Sequence, residues 1–121
     1  MSECTDTLPQ TTRARYSPTM PLAAFTTIDS EDAARSLARA AVTAKLAACV
    51  QIEKITSVYE WNGLQEDAEY RLLFKTSAAA WPALKALILR DHPYDEPALW
   101  AVEMTDGSES FLTWIDSTAT G

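Results

Sequence analysis

The sequence predicts an α+β fold: one sheet of split βαβ type, with two helices on one face and a further helix at the C-terminus. Three observations predict it. Strand-like and helix-like apolar patterns succeed one another in the order β-α-β-β-α-β. Asn62–Gly63 stands between two long strand-like runs, where a type I′ turn wants two residues tolerant of positive φ. The chain has 121 residues, which argues for one domain.

Residues 1–21 are rich in Ser, Thr, Pro and charge and show no periodicity, so they are expected to form a disordered tail ahead of a single domain over 22–121. Leu22 to Ile28 (LAAFTTI) is short and apolar, the mark of a mostly buried strand. Asp29 or Ser30 offers an N-cap, and Glu31 and Asp32 put negative charge in the first turn of a helix. Its apolar stripe is Ala34, Leu37, Ala38, Ala41, Val42 and Leu46.

Ala48 to Trp61 reads as a long strand. Val50 and Ile52 share one parity, whereas Ile55, Ser57, Tyr59 and Trp61 share the other, which predicts a bulge or bend around Glu53–Lys54. The return strand is expected over about Asp67 to Thr76, with Tyr70, Leu72 and Phe74 on one face and Leu73 on the other. A second helix follows from Ser77, its cap, to Asp91, with Trp81, Leu84, Leu87 and Ile88 inward. His92–Pro93 stops it, because the residue before proline avoids helical angles. A last strand covers about Ala98 to Met104, and a terminal helix carries Phe111, Leu112, Trp114 and Ile115. One sheet face then stays uncovered, and self-association is the economical way to bury it.

Ten basic against seventeen acidic residues give a net charge of −7, which argues against nucleic acid or an anionic membrane as partner. No run reaches the roughly 18 apolar residues of a membrane span, and no signal-like core opens the chain. Two cysteines, Cys4 and Cys49, make no disulfide framework, so a reduced, cytoplasmic protein is expected.

No Gly-rich phosphate loop, GxSxG elbow or HExxH helix occurs, and an enzyme is not expected. Cys49, within LAACV, is either a small core hydrophobe or a metal-binding or redox thiol. His92, within HPYDEP, is either a plain helix stop or part of a site with Tyr94, Asp95 and Glu96, since one loop gathers all four. Tyr59, Trp61 and Tyr70 serve either as core and interface or as cleft lining, whereas Glu66, Asp67 and Glu69 read as a solvated hairpin rim. Lys75, inside the apolar LLFKTS, is expected to pair with an acid such as Glu69 or to face a cleft. A Cys49–His92 pair also leaves a small hydrolase open as a further reading.

Five segments in order and spacing, LAACV, SVYEWNG, EDAEYRLLFKTS, HPYDEP and FLTWI, resemble the CutA family of divalent-cation tolerance proteins over about residues 22–117. The resemblance implies a ferredoxin-like fold assembled as a homotrimer, with hairpins wrapping between subunits. It implies binding of copper or another divalent ion, without an obligatory cofactor. Cys49 and His92, at matching positions, would be metal donors, and Tyr59, Trp61, Lys75 and Tyr94 would line an inter-subunit cleft; the reading of this sequence adds Glu96 as a metal donor and Glu69 and Asp95 to the cleft. The sequence departs from the family pattern at Gln51, at Glu53–Lys54 and at Glu96. The alternative expectation is a trimeric signalling scaffold that binds a small molecule or protein partner, its metal binding incidental.

Overall fold

A computed structural model describes residues 20–121, so the expected tail lies outside the described residues over 1–19. Pro21 is buried, and its carbonyl accepts the Met104 N–H at 2.8 Å. The elements run β1 (Leu22–Ile28), α1 (Glu31–Thr43), β2 (Cys49–Glu60), β3 (Leu64–Thr76), α2 (Trp81–Asp91), β4 (Leu99–Glu103) and α3 (Glu109–Thr118). The sheet has the order β2-β3-β1-β4, and every neighbouring pair is antiparallel. This is the ferredoxin-like arrangement that the order of patterns predicts.

Local chemistry explains the boundaries. Ser30 adopts extended angles and its hydroxyl accepts the Ala33 N–H at 3.1 Å, which caps α1. At the other end Lys45 takes a φ of 61°, and the N–H of Leu46 reaches the carbonyl of Ala41 at 2.9 Å. That is a Schellman closure with lysine in the left-handed position glycine usually fills. The Asn62–Gly63 turn lies where the sequence puts it, with φ of 55° and 102°. Glu60 pairs with Leu64, so the loop has one residue more than a two-residue turn. Ser77 begins a turn ahead of α2 rather than the helix itself; its hydroxyl accepts the Ala80 N–H and donates to the Ala119 carbonyl.

Alternation along the strands separates two faces. Leu22, Ala24, Ile28, Leu72 and Phe74 point towards α1 and α2 and are 0–1% exposed. Ala24, Ile28, Leu72 and Phe74 pack in one core with Ala34, Leu37, Ala38 and Ala41 of α1 and Leu84, Leu87 and Ile88 of α2. Val42 falls at the edge of the α1 stripe and stays exposed. The other face carries Phe25, Leu73, Trp100 and Val102, with Phe25 stacked on Trp100 at 4.3 Å between ring centres.

Of the bulge or bend expected around Glu53–Lys54, the bulge does not form. β2 and β3 pair without interruption from Cys49–Lys75 to Glu60–Leu64. The parity change records instead a change in which face is covered. Val50 and Ile52 lie against the core under the helices, whereas Lys54, Thr56 and Val58 on the same side are exposed. The half-buried positions pass to Ile55 and Ser57 on the opposite side.

Candidate functional site

The loop after α2 is built around one imidazole. His92 closes α2 by donating its N–H to the Ile88 carbonyl at 2.9 Å, and its ψ of 135° turns the chain away from the helix, as the following Pro93 requires. Its side chain is only 7% exposed. Nε2 donates to the Thr27 carbonyl at 2.8 Å, and Nδ1 accepts the Tyr94 N–H at 3.1 Å. A carbonyl can only accept and an amide N–H only donate, so these partners fit the neutral ring with its proton on Nε2. The Tyr94 ring then meets the imidazole edge-on, 4.7 Å away.

From there Tyr94 reaches across to β3, where its hydroxyl donates to Glu69 Oε2 at 2.9 Å. A parallel bond lies beside it: Tyr59 Oη donates to Asp67 Oδ2 at 2.6 Å. Tyr59 pairs with Gln65 in the register, so Asp67 is its diagonal neighbour on the same face. Together with Asp29 and Ala68 these side chains line a cleft of about 350 Å³. Burial, the hydrogen bond to Glu69 and the negative charge around it push the Tyr94 phenol well above its ordinary range. The hydrogen bond to Asp67 likewise raises Tyr59. Three carboxylates and two phenols thus share a space lined by no Lys or Arg, an arrangement of oxygen donors that attracts cations and repels anions.

The remaining expected site residues lie elsewhere. Cys49 is half-buried at the opposite end of the uncovered face, paired with Lys75. His92 is anchored at the level of Thr27, which pairs with Arg71, four residues along β3 from Lys75. That offset is about 13 Å along the strand, so one chain brings Cys49 and His92 neither to a common metal nor into a nucleophile–base pair. Lys75 does not pair with Glu69, which lies six residues, about 20 Å, along the same strand; its ammonium instead stands 5.4 Å from the centre of the Phe111 ring. Trp61 is at the hairpin tip, 66% exposed, and Asp95 and Glu96 are exposed on the loop. Among the described residues no three His, Cys, Asp or Glu side chains come together as a metal-ligand set.

The cleft therefore gathers Tyr59, Glu69 and Tyr94 of the expected set and adds Asp29 and Asp67, which sequence reasoning assigned to a cap and a solvated rim. Asp67 had a usable signal. Once the Asn62–Gly63 turn fixes the register, Tyr59 and Asp67 fall on one face as diagonal neighbours. Asp29 had none, because its place beside Tyr94 depends on the far end of β1 meeting the loop after α2.

Comparison with known proteins agrees with this architecture. The family model described as "CutA1 divalent ion tolerance protein" matches residues 22–118. "Protein CutA" of Mus musculus is 38% identical over 109 residues, 88% of this chain and 62% of that protein. The chain thus spans less than two thirds of that relative. The "Divalent-cation tolerance protein CutA" of Thermus thermophilus is 42% identical over 91 residues, 74% of this chain and 88% of that one. The crystal structure of CutA1 from Shewanella sp. SIB1 superposes with a TM-score of 0.81 at 35% identity, covering 88% of this chain and 100% of that one. The chain belongs to the CutA1 divalent ion tolerance family.

Proposed function

We propose that this member of the CutA1 family works as a cytoplasmic homotrimer that binds copper or another divalent ion and serves the response to metal, without catalysing a reaction. The observation that carries the reading is the cleft lined by Asp29, Tyr59, Asp67, Glu69 and Tyr94, an acidic space with no basic side chain in its lining. The assembly is supported by the uncovered sheet face, on which Trp100 is 52% and Val102 45% exposed beside Phe25 and Leu73. A patch of this kind on a water-soluble chain calls for a partner, and a second copy is the nearest one. Among the described residues no helix is long and apolar enough to cross a membrane.

Cys49 and Glu96 enter this reading only between subunits, since Cys49 lies level with Lys75, away from the cleft, and both ring nitrogens of His92 are already hydrogen-bonded within the chain. Cu(II) accepts nitrogen, oxygen and sulfur, so a Cys49 thiolate at a subunit contact and the cleft carboxylates are both suited to it. Native mass spectrometry of the full chain, alone and with one equivalent of Cu(II) per chain, tests the reading. A trimer carrying up to one copper per chain is expected, with the metal lost in an Asp67→Asn/Glu69→Gln variant. Loss in Cys49→Ser alone would move the site to the thiol. A metal-free trimer, or a monomer, would end the reading.

One observation favours a second reading, a signalling scaffold. The hairpin tip holds Trp61 66% and Leu64 77% exposed, a projecting apolar point suited to a protein partner. Pull-down with and without residues Leu64 to Asp67 separates the two, because metal binding alone predicts no partner that depends on the loop.

A further inference from the structure

We propose that His92 is a positioning residue of the cleft and not one of its ligands. The inference rests on the cleft reading above and assigns within it the part played by the only histidine of the chain. Both ring nitrogens are already committed: the Nε2 proton to the Thr27 carbonyl at 2.8 Å, the Nδ1 lone pair to the Tyr94 N–H at 3.1 Å. With 7% of the residue exposed, an ion reaching either nitrogen would have to displace a buried hydrogen bond and leave a backbone group unpaired.

What the ring does instead follows from its two partners. Thr27 lies two residues before Asp29, which lines the cleft, and Tyr94 lines it too. One planar side chain therefore fixes the end of β1 against the loop after α2. The T-shaped contact adds orientation, holding the Tyr94 ring 61° from the imidazole plane. In that pose the phenol lies 2.9 Å from Glu69. His92 thus sets the separation of Asp29, Tyr94 and Glu69 without touching what binds between them.

Two substitutions copy half of the ring each. Asparagine presents an oxygen near the place of Nδ1 and can keep the Tyr94 N–H, whereas glutamine presents an N–H near Nε2 and can keep Thr27. Nitration of the full-length protein by tetranitromethane, with Tyr94 followed by peptide mass mapping, reads how firmly that phenol is held. His92→Ala is expected to speed Tyr94 nitration by about fivefold, the worth of one lost hydrogen bond, and His92→Asn to restore a rate near that of the parent. Equal rates in all three proteins would overturn the proposal.

The second arm uses the unaltered protein with ring-nitrogen NMR during titration with Zn(II), which is diamagnetic. The Nε2-protonated pattern of His92 is expected to persist to saturation, and a shift of either nitrogen to a metal-bound position would overturn the proposal. Zinc that fails to bind at all would sink the cleft reading instead, and the nitration rates still decide the role of His92.

Discussion

The two faces of the sheet are made by the same strands and have opposite fates. On the helix side Ala24, Leu72 and Phe74 are fully buried in the core formed with α1 and α2. On the other side Phe25 stacks on Trp100, yet Trp100 remains 52% exposed and Val102 45%. Phe25 and Phe74 would score alike in any count of hydrophobic residues. They differ in what their neighbours in the fold provide. The helix side is a finished core whose energy belongs to the chain itself. The other side is left uncovered by the chain itself, and under the proposed self-association its burial would stabilise the assembly rather than the single chain.

The sharpest test of this difference is Phe74→Ala, expected to cost about 3–5 kcal/mol in urea unfolding, because a fully buried ring leaves a cavity the helices cannot close. Trp100→Ala should leave the unfolding of the isolated chain nearly unchanged while weakening self-association by about 2 kcal/mol or more, read by sedimentation across a concentration series. Comparable losses of chain stability in both variants would mean the uncovered face is a second core, and the comparison would fail.

At the rim between the two regions, Tyr94→Phe should cost about 1 kcal/mol near neutral pH for the lost bond to Glu69. Its pH dependence has a definite sign. The Tyr94 phenol is raised in the folded chain, so the native state keeps a proton that the unfolded chain releases above about pH 10. The parent protein should therefore lose stability as pH rises beyond that point, whereas Tyr94→Phe should show a flatter alkaline limb in the same urea titrations. The smallest effect is a gain. Lys45 holds a φ of 61° where α1 hands the chain over towards Cys49, so Lys45→Gly should raise the thermal midpoint by an amount equivalent to up to about 1 kcal/mol.

Particular residues show how far the sequence could be read. Leu22–Ile28 forms as a strand over the expected bounds, and Ser30 caps α1, because both depend on chemistry within a few residues. The Asn62–Gly63 turn is local for the same reason. The absent bulge is instructive: a break in alternation signals either an irregular backbone or a change in covering layer, and one chain's periodicity does not separate them. The apolar flanks of Lys75 point to an acid such as Glu69 or to a cleft, whereas its ammonium meets the Phe111 ring of a helix 36 residues onward.

The candidate site was legible as a list and illegible as a place. Tyr59, Glu69, His92 and Tyr94 are all chemically conspicuous in the sequence, and HPYDEP concentrates functional groups after a helix stop. Cys49 was grouped with His92 because both are metal-binding types, yet register sets them about 13 Å apart along the sheet. Thr27 offers only a backbone carbonyl to His92, a group every residue carries, so no sequence signal could have named it.

By itself, then, the sequence determined the order of the elements, the caps and turn that bound them, the surplus of negative charge and the family to which the chain belongs. Those properties are fixed by side chains acting on their immediate neighbours or by residue identity alone. Only the tertiary structure decided that Asp29, Asp67 and Glu69 share one cleft, that His92 spends both nitrogens holding it, and that Cys49 lies at the other end. These depend on strand register and on contacts between residues up to 65 positions apart, where a shift of one residue moves a side chain to the opposite face of the sheet.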